Sequence, residues 1–153
     1  MLEIRDIAAK AGAFSLRDVS TSIERGTCHV IVGATGSGKT LLLESVLGLK
    51  PLTKGSIFLN GQEITKQPLE KRNLSYVPQD LALFPHLTVA DNIFYGLRMK
   101  GIKDPEHLRM VNLLMETVGI RELAHRSIKN LSGGEKQRVA LVRAIAAGNK
   151  HLL

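Results

Sequence analysis

Eight consecutive residues, Gly33 to Thr40 with the sequence GATGSGKT, combine groups that can bind the phosphates of a nucleotide. Glycines let successive backbone N–H groups turn toward one anion. An apolar run precedes the motif and a helical pattern follows it, so its amides would lie at a helix N-terminus, which favours anions. The motif therefore predicts a nucleoside triphosphate site formed by Gly33, Ala34, Thr35, Gly36, Ser37, Gly38, Lys39 and Thr40.

Two side chains of this motif carry the chemistry. Lys39 can reach the β- and γ-phosphates, and the hydroxyl of Thr40 can bind the Mg²⁺ that bridges them. A glycine-rich turn with a chance Lys-Thr pair is the alternative, and the strand and helix patterns on either side argue against it.

A second motif, LSGGEKQR, runs from Leu131 to Arg138. Ser132 and Glu135 have the spacing of a helix capping box. That interpretation does not explain Gly133 and Gly134 in the first helical turn, where each glycine costs about 1 kcal/mol relative to alanine. A hydroxyl beside bare backbone amides at a helix N-terminus is a second possible phosphate-binding group.

Gln79, in the stretch YVPQD, follows a predicted strand. Alone, this would indicate a surface loop residue. However, GATGSGKT, YVPQ and LSGGEKQR in this order resemble the nucleotide-binding subunit of ATP-binding cassette (ABC) transporters, over essentially the whole chain. The resemblance makes Gln79 a functional candidate.

The resemblance implies that Gly33–Thr40 bind the phosphates of ATP, with Lys39 and Gln79 in catalytic roles. Thr40 and Gln79 would contact Mg²⁺, and Gln79 would also contact the attacking water and sense a membrane subunit. The second motif would cap the γ-phosphate of ATP held by a second ABC ATPase subunit, a homodimer partner being expected, through Leu131, Ser132, Gly133, Gly134 and Gln137. Further implied partners are membrane permease subunits, at the inner face of the cell membrane.

The segment Leu83–Leu97 is similar to the importer branch, which serves molybdate, sulfate, iron, polyamines and sugars. The stretches FSLRDVS and GIKDPEHL lean toward the molybdate/tungstate type. His86 is either a contact to the membrane subunit or a plain loop residue, and the second interpretation is favoured.

The sequence departs from the family pattern in two places. Where the family usually has an aromatic residue that stacks on adenine, this chain has Ala11, and Phe14 nearby is expected to point into the core. NKHLL, Asn149 to Leu153, reads as the start of the Walker B strand, and the Asp, Glu and switch His that would follow are not in the sequence. We therefore expect a fragment, truncated before Walker B, that does not hydrolyse ATP by itself and whose sheet is incomplete.

The expected fold class is α/β, a P-loop NTPase core with an antiparallel β edge, C-terminal strands missing, and an inserted α-helical subdomain at residues 80–135. The predicted strands are Leu2–Ile7, the stretch AFSLRDVST, a buried parallel strand CHVIVG, a hairpin at GSIFLNGQ and the stretch NLSYV. The predicted helices are Lys39–Leu47 closed by Gly48, one capped by Thr88 and Asp91, one from Asp104 and Pro105 to Gly119, and one from Ser132 to Gly148.

The chain of 153 residues has a formal net charge of +7 and one cysteine. The basic residues are scattered, so no nucleic acid partner is expected. Cys28 is expected in the core. No stretch approaches the roughly 20 apolar residues of a membrane span, so a cytoplasmic protein is expected.

Three other interpretations have to be weighed against this one. A soluble superfamily member in DNA maintenance would insert a long coiled coil, for which the interval from Lys39 to Ser132 has no room; a translation factor stays open. A GTPase would need an N-K-x-D motif, and NKHL at Asn149 lacks the Asp. An inactive nucleotide-binding remnant is compatible with the chain as given.

Overall fold

A computed structural model describes residues 1–149 and 151–153. The chain divides into two compact units, Met1–Asn73 and Leu74–Leu153. The first unit carries the glycine-rich motif. The second carries Gln79 and the second motif.

The first unit is built on an antiparallel sheet of four strands, ordered β2-β1-β3-β4. Its strands are β1 (Leu2–Ala11), β2 (Phe14–Ile23), β3 (Leu52–Leu59) and β4 (Gln62–Glu63). Leu2 and Ile4 of β1 are buried, as are Ile7 and Ala9. Side chains alternate along a strand, and an irregularity between Ile4 and Ile7 shifts this alternation by one residue. β1 and β2 pair in the antiparallel direction, so the predicted antiparallel edge is confirmed.

The predicted hairpin forms between β3 and β4, where Asn60 and Gly61 both have positive φ angles of 51° and 82°. Two such residues are what a tight two-residue hairpin turn requires. The first helix, α1 (Lys39–Leu47), is also as predicted, and Gly48 ends it in the left-handed conformation with φ 86°.

Buried Arg72 holds the C-terminal end of α1. Its guanidinium donates to the carbonyl oxygens of Ser45 at 3.3 Å and Val46 at 2.7 Å, two buried acceptors in the last turn of the helix. It also donates to the carbonyls of Thr65 at 2.6 Å and Gln67 at 2.9 Å. One side chain thus joins α1 to the segment that follows β4.

The prediction of a buried parallel strand at CHVIVG was wrong. Cys28–Gly33 lies outside every strand of the described residues, and Val30 and Val32 are 79% and 88% exposed. Cys28 is exposed as well, which corrects its expected place in the core. An apolar run becomes a buried strand only where neighbouring strands accept its ladder hydrogen bonds, and no described strand pairs with this one.

The described part of the second unit contains three α-helices, α2 (Val89–Met99), α3 (Pro105–Thr117) and α4 (Gly133–Ala146). Each begins at the predicted cap: the side chains of Thr88, Asp104 and Ser132 accept hydrogen bonds from backbone amides of the first turn. The core between the helices is formed by Val89, Ile93, Leu97, Val111, Met115, Ile120, Ile128, Leu131, Val139, Val142 and Ala146.

A short parallel pair of strands completes this unit, β5 (Leu74–Ser75) with β6 (His151–Leu152). β5 lies inside the predicted strand NLSYV and is shorter than it. The prediction that NKHLL begins a strand is confirmed at His151–Leu152, and Lys150 lies outside the described residues. None of the described helices has the length and apolar character needed to cross a membrane.

Candidate functional site

The glycine-rich loop leads directly into α1. Gly36 and Gly38 have φ angles of 82° and 92°, a region that favours glycine. A turn is closed inside the loop by the amide of Ser37, which donates to the Ala34 carbonyl at 3.2 Å. Within the described residues no side chain caps the N-terminus of α1, since its N-cap residue is Gly38. Backbone amides of the first turn are therefore left for an anion.

Lys39 folds back over this loop. Its Nζ atom donates to the carbonyl oxygens of Gly33 at 2.7 Å and Ala34 at 2.9 Å. The two neutral carbonyls hold the ammonium beside the backbone that would cradle a phosphate, and a phosphate oxygen would be a stronger acceptor for it. Thr40, the next residue, is exposed, as an Mg²⁺-binding hydroxyl must be.

Phe14 lies against the same loop, which corrects its expected place in the core. A Cβ atom added to Gly38 would come within 2.7 Å of Phe14 Cε1 and 2.9 Å of Cζ. The Phe14 side chain is 39% exposed, and Ala11 is also exposed. The sequence did not predict this contact. Strand alternation indicates only which face of the sheet Phe14 lies on, and it does not show that the glycine-rich loop lies beside the ring.

The second motif forms the N-terminus of α4, and the capping box is present. The Ser132 hydroxyl accepts from the Glu135 amide at 3.3 Å and donates to the Glu135 carboxylate at 2.7 Å. That carboxylate also accepts from the Ser132 amide at 2.6 Å. These bonds from the Ser132 side chain and backbone, with Arg138 and Arg126 nearby, hold the pKa of Glu135 below its ordinary value.

The glycines of the motif face open space. A Cβ atom on Gly133 would meet nothing within 4 Å, and one on Gly134 would lie 3.8 Å from Arg138 Nη1. Packing inside the chain therefore gives no reason for glycine at either position. Of the other motif residues, Leu131 is buried in the core and Gln137 is exposed.

Gln79 is exposed and lies in a turn, closed by the amide of Leu81, which donates to the Pro78 carbonyl at 2.9 Å. Two residues that the motifs did not single out hold the segment that follows. Arg143 donates to the carbonyls of Leu81 and Ala82. Asn92 is hydrogen-bonded to the backbone of Phe84. For Arg143, the sequence offered one signal, namely a charged residue inside the apolar stretch of α4.

The structure thus groups the candidate residues by unit. Gly33–Thr40 form one continuous loop and helix start in the first unit. Gln79 and Leu131–Gln137 belong to the second unit, where α4 begins at the second motif and its residue Arg143 holds the turn of Gln79.

This combination of an α/β architecture, a glycine-rich loop before a helix and a capped LSGG motif defines a nucleotide-binding domain. The profile of the family described as ABC transporter matches residues 16–153. Because the match spans most of the chain, the chain belongs to the ABC transporter family, and the resemblance inferred from the motifs is confirmed.

Individual relatives carry related names. The chain is 44% identical over 153 residues to the molybdate/tungstate import ATP-binding protein of Pyrococcus abyssi, covering 100% of this chain and 44% of that protein. It is 46% identical to the protein of the same name from Thermococcus kodakarensis, covering 100% of this chain and 46% of that protein. It is also 42% identical over 146 residues to the spermidine/putrescine import ATP-binding protein of Nitrosomonas europaea, covering 95% of this chain and 40% of that protein. The chain therefore spans less than half the length of these relatives.

A solved structure described as the ATP-binding subunit of an ABC transporter is similar to this fold with a TM-score of 0.84 and 25% sequence identity. The similarity covers 96% of this chain and 62% of that one. The predicted α/β fold class with its antiparallel edge is thereby confirmed.

Proposed function

We propose that this chain forms the ATP-binding part of an ABC importer subunit, which binds ATP with Mg²⁺ and couples its hydrolysis to solute uptake. The observation that carries the proposal is the start of α1. Glycines leave its first amides without a side-chain cap, and the Lys39 ammonium rests on the loop carbonyls beside them. A nucleotide phosphate fits both the donors and the charge.

Each motif receives a role in this proposal. Gly33–Thr40 bind the phosphates, and Lys39 contacts the β- and γ-phosphates. Thr40 and Gln79 contact Mg²⁺, while Gln79 orients the attacking water. The second motif, Leu131–Gly134 with Gln137, contacts ATP held by a second copy of the subunit, which the open space above Gly133 supports.

The proposed partners are a second ATPase subunit and membrane permease subunits, with the chain on the cytoplasmic side of the membrane. Residues 1–153 belong to one ABC ATP-binding domain, in which residues 80–135 form the helical subdomain. The proposed solute is an oxyanion, because the relatives from Pyrococcus abyssi and Thermococcus kodakarensis are named for molybdate and tungstate import.

Lys39→Ala tests the nucleotide site directly. Losing a charged donor to phosphate costs about 1.5–3 kcal/mol, so we expect the affinity for a fluorescent ATP analogue with Mg²⁺ to fall about 10- to 100-fold. Lys50→Ala, at an exposed lysine beyond α1, serves as the matched control and should leave the affinity unchanged. Equal affinities of Lys39→Ala and the parent chain would refute the proposed site.

A further inference from the structure

Arg143 holds the backbone of the segment that follows Gln79. Its Nη1 donates to the Ala82 carbonyl at 2.7 Å and its Nη2 donates to the Leu81 carbonyl at 2.8 Å. The guanidinium carbon lies 5.5 Å from the centroid of the Phe84 ring. The planar fork of arginine is suited to two adjacent acceptors, whereas a lysine ammonium acts as a single point charge.

The held backbone is in an uncommon conformation. Leu81 and Ala82 have φ angles of 63° and 41°, although neither is glycine. Such residues persist only where the surroundings impose the conformation, and they cluster at functional sites. The Leu81 amide in turn donates to the Pro78 carbonyl and closes the turn that contains Gln79. Arg143 therefore acts on Gln79 through a chain of two hydrogen bonds.

The other end of the segment is fixed to α2. Asn92 is fully buried. Its Oδ1 accepts from the Phe84 amide at 2.8 Å, and its Nδ2 donates to the carbonyls of Phe84 at 3.1 Å and Thr88 at 2.9 Å. The Phe84 ring also packs against Tyr95 in a tilted arrangement, with the ring centroids 4.6 Å apart. The segment is thus held at Leu81 and Ala82 by Arg143 and at Phe84 by Asn92.

Arg143 belongs to the helix that starts at the second motif. From Ser132 to Arg143 along α4 is about 16 Å, at about 1.5 Å per residue. The helix is continuous from Gly133 to Ala146, and its buried residues lie in the core of the unit. Through Arg143, one element carries both Ser132–Gly134 at its start and the turn of Gln79 near its end.

We propose that Arg143 is a positioning residue that makes Gln79 and Ser132–Gly134 move as one rigid body. The proposal rests on the function proposed for Gln79 and Ser132–Gly134. In it, Arg143 keeps the distance between Gln79 and Ser132–Gly134 fixed. A fixed distance matters when two subunits close on ATP, because Gln79 and the second motif must both reach their contacts in the same nucleotide-bound dimer. Arg143 touches neither nucleotide nor metal in this role.

Distances between spin labels test the proposal. In a Cys28→Ser background, one label is placed at Asp80→Cys beside Gln79 and the other at Lys136→Cys in α4. A reference pair, Met99→Cys with Lys136→Cys, reports on the packing of α2 against α4 without involving the turn. Arg143→Met removes the donors and keeps an unbranched stem, and Arg109→Met, at an exposed arginine of α3, is the matched control.

We expect a narrow distance distribution for the 80–136 pair in the parent and in Arg109→Met. Arg143→Met should widen it at least twofold while the reference pair keeps its width, which a purely structural role would not produce. Arg143→Lys should give an intermediate width, because one ammonium replaces the two-pronged fork. An 80–136 width in Arg143→Met equal to that of the parent would overturn the proposal.

If Arg143→Met also widens the distance distribution of the reference pair, the variant has lost the packing of the unit. The 80–136 distance distribution of Arg143→Lys is then the deciding measurement. A width for the lysine variant equal to that of the parent then overturns the proposal. The measurement needs no nucleotide, so it is independent of the proposed function. A chain that binds no ATP analogue but shows the Arg143 dependence would contradict the proposed function and support the positioning role.

Discussion

At the scale of single residues, the glycines of the two motifs are explained differently. Gly38 is required by the chain itself, since its φ is 92° and Phe14 occupies the space of a Cβ atom. Gly133 has an ordinary backbone and open space around it. A residue whose glycine identity nothing inside the chain explains is a good candidate for close approach by something outside it, and the proposed ATP of a second subunit is such a group.

Ser132→Arg should therefore separate ATP binding from ATP-driven association. A bulky cation at Ser132 would fill the space proposed for the γ-phosphate of the partner's ATP, while Gly33–Thr40 stay intact. We expect unchanged affinity for an ATP analogue and loss of nucleotide-dependent dimerisation in sedimentation velocity. Thr117→Arg, at an exposed residue of α3, is the control. If Ser132→Arg lost ATP binding by the monomer as well, the role across a dimer would be incorrect.

The capping box of α4 should make its first turn sensitive to acid. The Ser132 side chain, and then its backbone, lower the pKa of Glu135, so the folded state favours the carboxylate. The resulting stabilisation is fully present above the ordinary pKa of a glutamate and is lost as the pH falls through the lowered value. We expect the Ser132 amide resonance in NMR spectra to move over this acidic range.

Glu135→Gln provides the comparison for this titration. Glutamine can also reach back to the N-cap amide, but it does not titrate. The acid-dependent movement of the Ser132 amide should therefore disappear in the variant. A movement of the same size in Glu135→Gln would show that another group is responsible.

At the scale of elements, the ends of helices were predictable from the sequence and one strand was not. Thr88, Asp104 and Ser132 cap helices through bonds that span only three residues, so the local sequence contains all the information. A parallel strand such as CHVIVG depends on partners far away in the chain, and its apolar composition cannot show whether they are present. The roles of Arg143 and Arg72 could not be predicted for the same reason, since Arg143 donates to carbonyls about 60 residues away and Arg72 to the distant carbonyls of Ser45 and Val46.

The C-terminal end of α1 should depend strongly on Arg72. Removing its guanidinium leaves the buried carbonyl of Val46 without this donor, while the Ser45 carbonyl keeps the Gly48 amide. The carbonyls of Thr65 and Gln67 lose a donor as well, and an unpaired buried group costs about 1–3 kcal/mol. We expect Arg72→Met to lower the free energy of unfolding by about 2–4 kcal/mol in urea denaturation. Arg17→Met, at an exposed arginine of β2, should change it little. A loss for Arg72→Met no larger than that of the control would contradict the capping role.

At the scale of the whole molecule, the exposed run Cys28–Gly33 belongs to neither of the two sheets that the described residues form. Its residues Val30, Ile31 and Val32 are 79%, 44% and 88% exposed. The run has the β-branched, apolar composition of a strand, but no described strand pairs with it. A run of extended composition that no described strand pairs with can be a template on which another chain adds a strand.

The 153-residue chain should therefore associate with itself through this run as its concentration rises. Adding two positive charges, Val30→Lys with Val32→Lys, should shift the sedimentation profile toward the monomer, because charged residues block edge-to-edge pairing. The exposed apolar residue Leu113 of α3 supplies the control, since Leu113→Lys removes an apolar side chain from a helix that has no free ladder groups. Association that persists in the double variant, or that Leu113→Lys suppresses equally, would place the contact elsewhere. Fluorescent ATP binding, measured on the same samples, would show whether Gly33–Thr40 keep their conformation when the preceding run is altered.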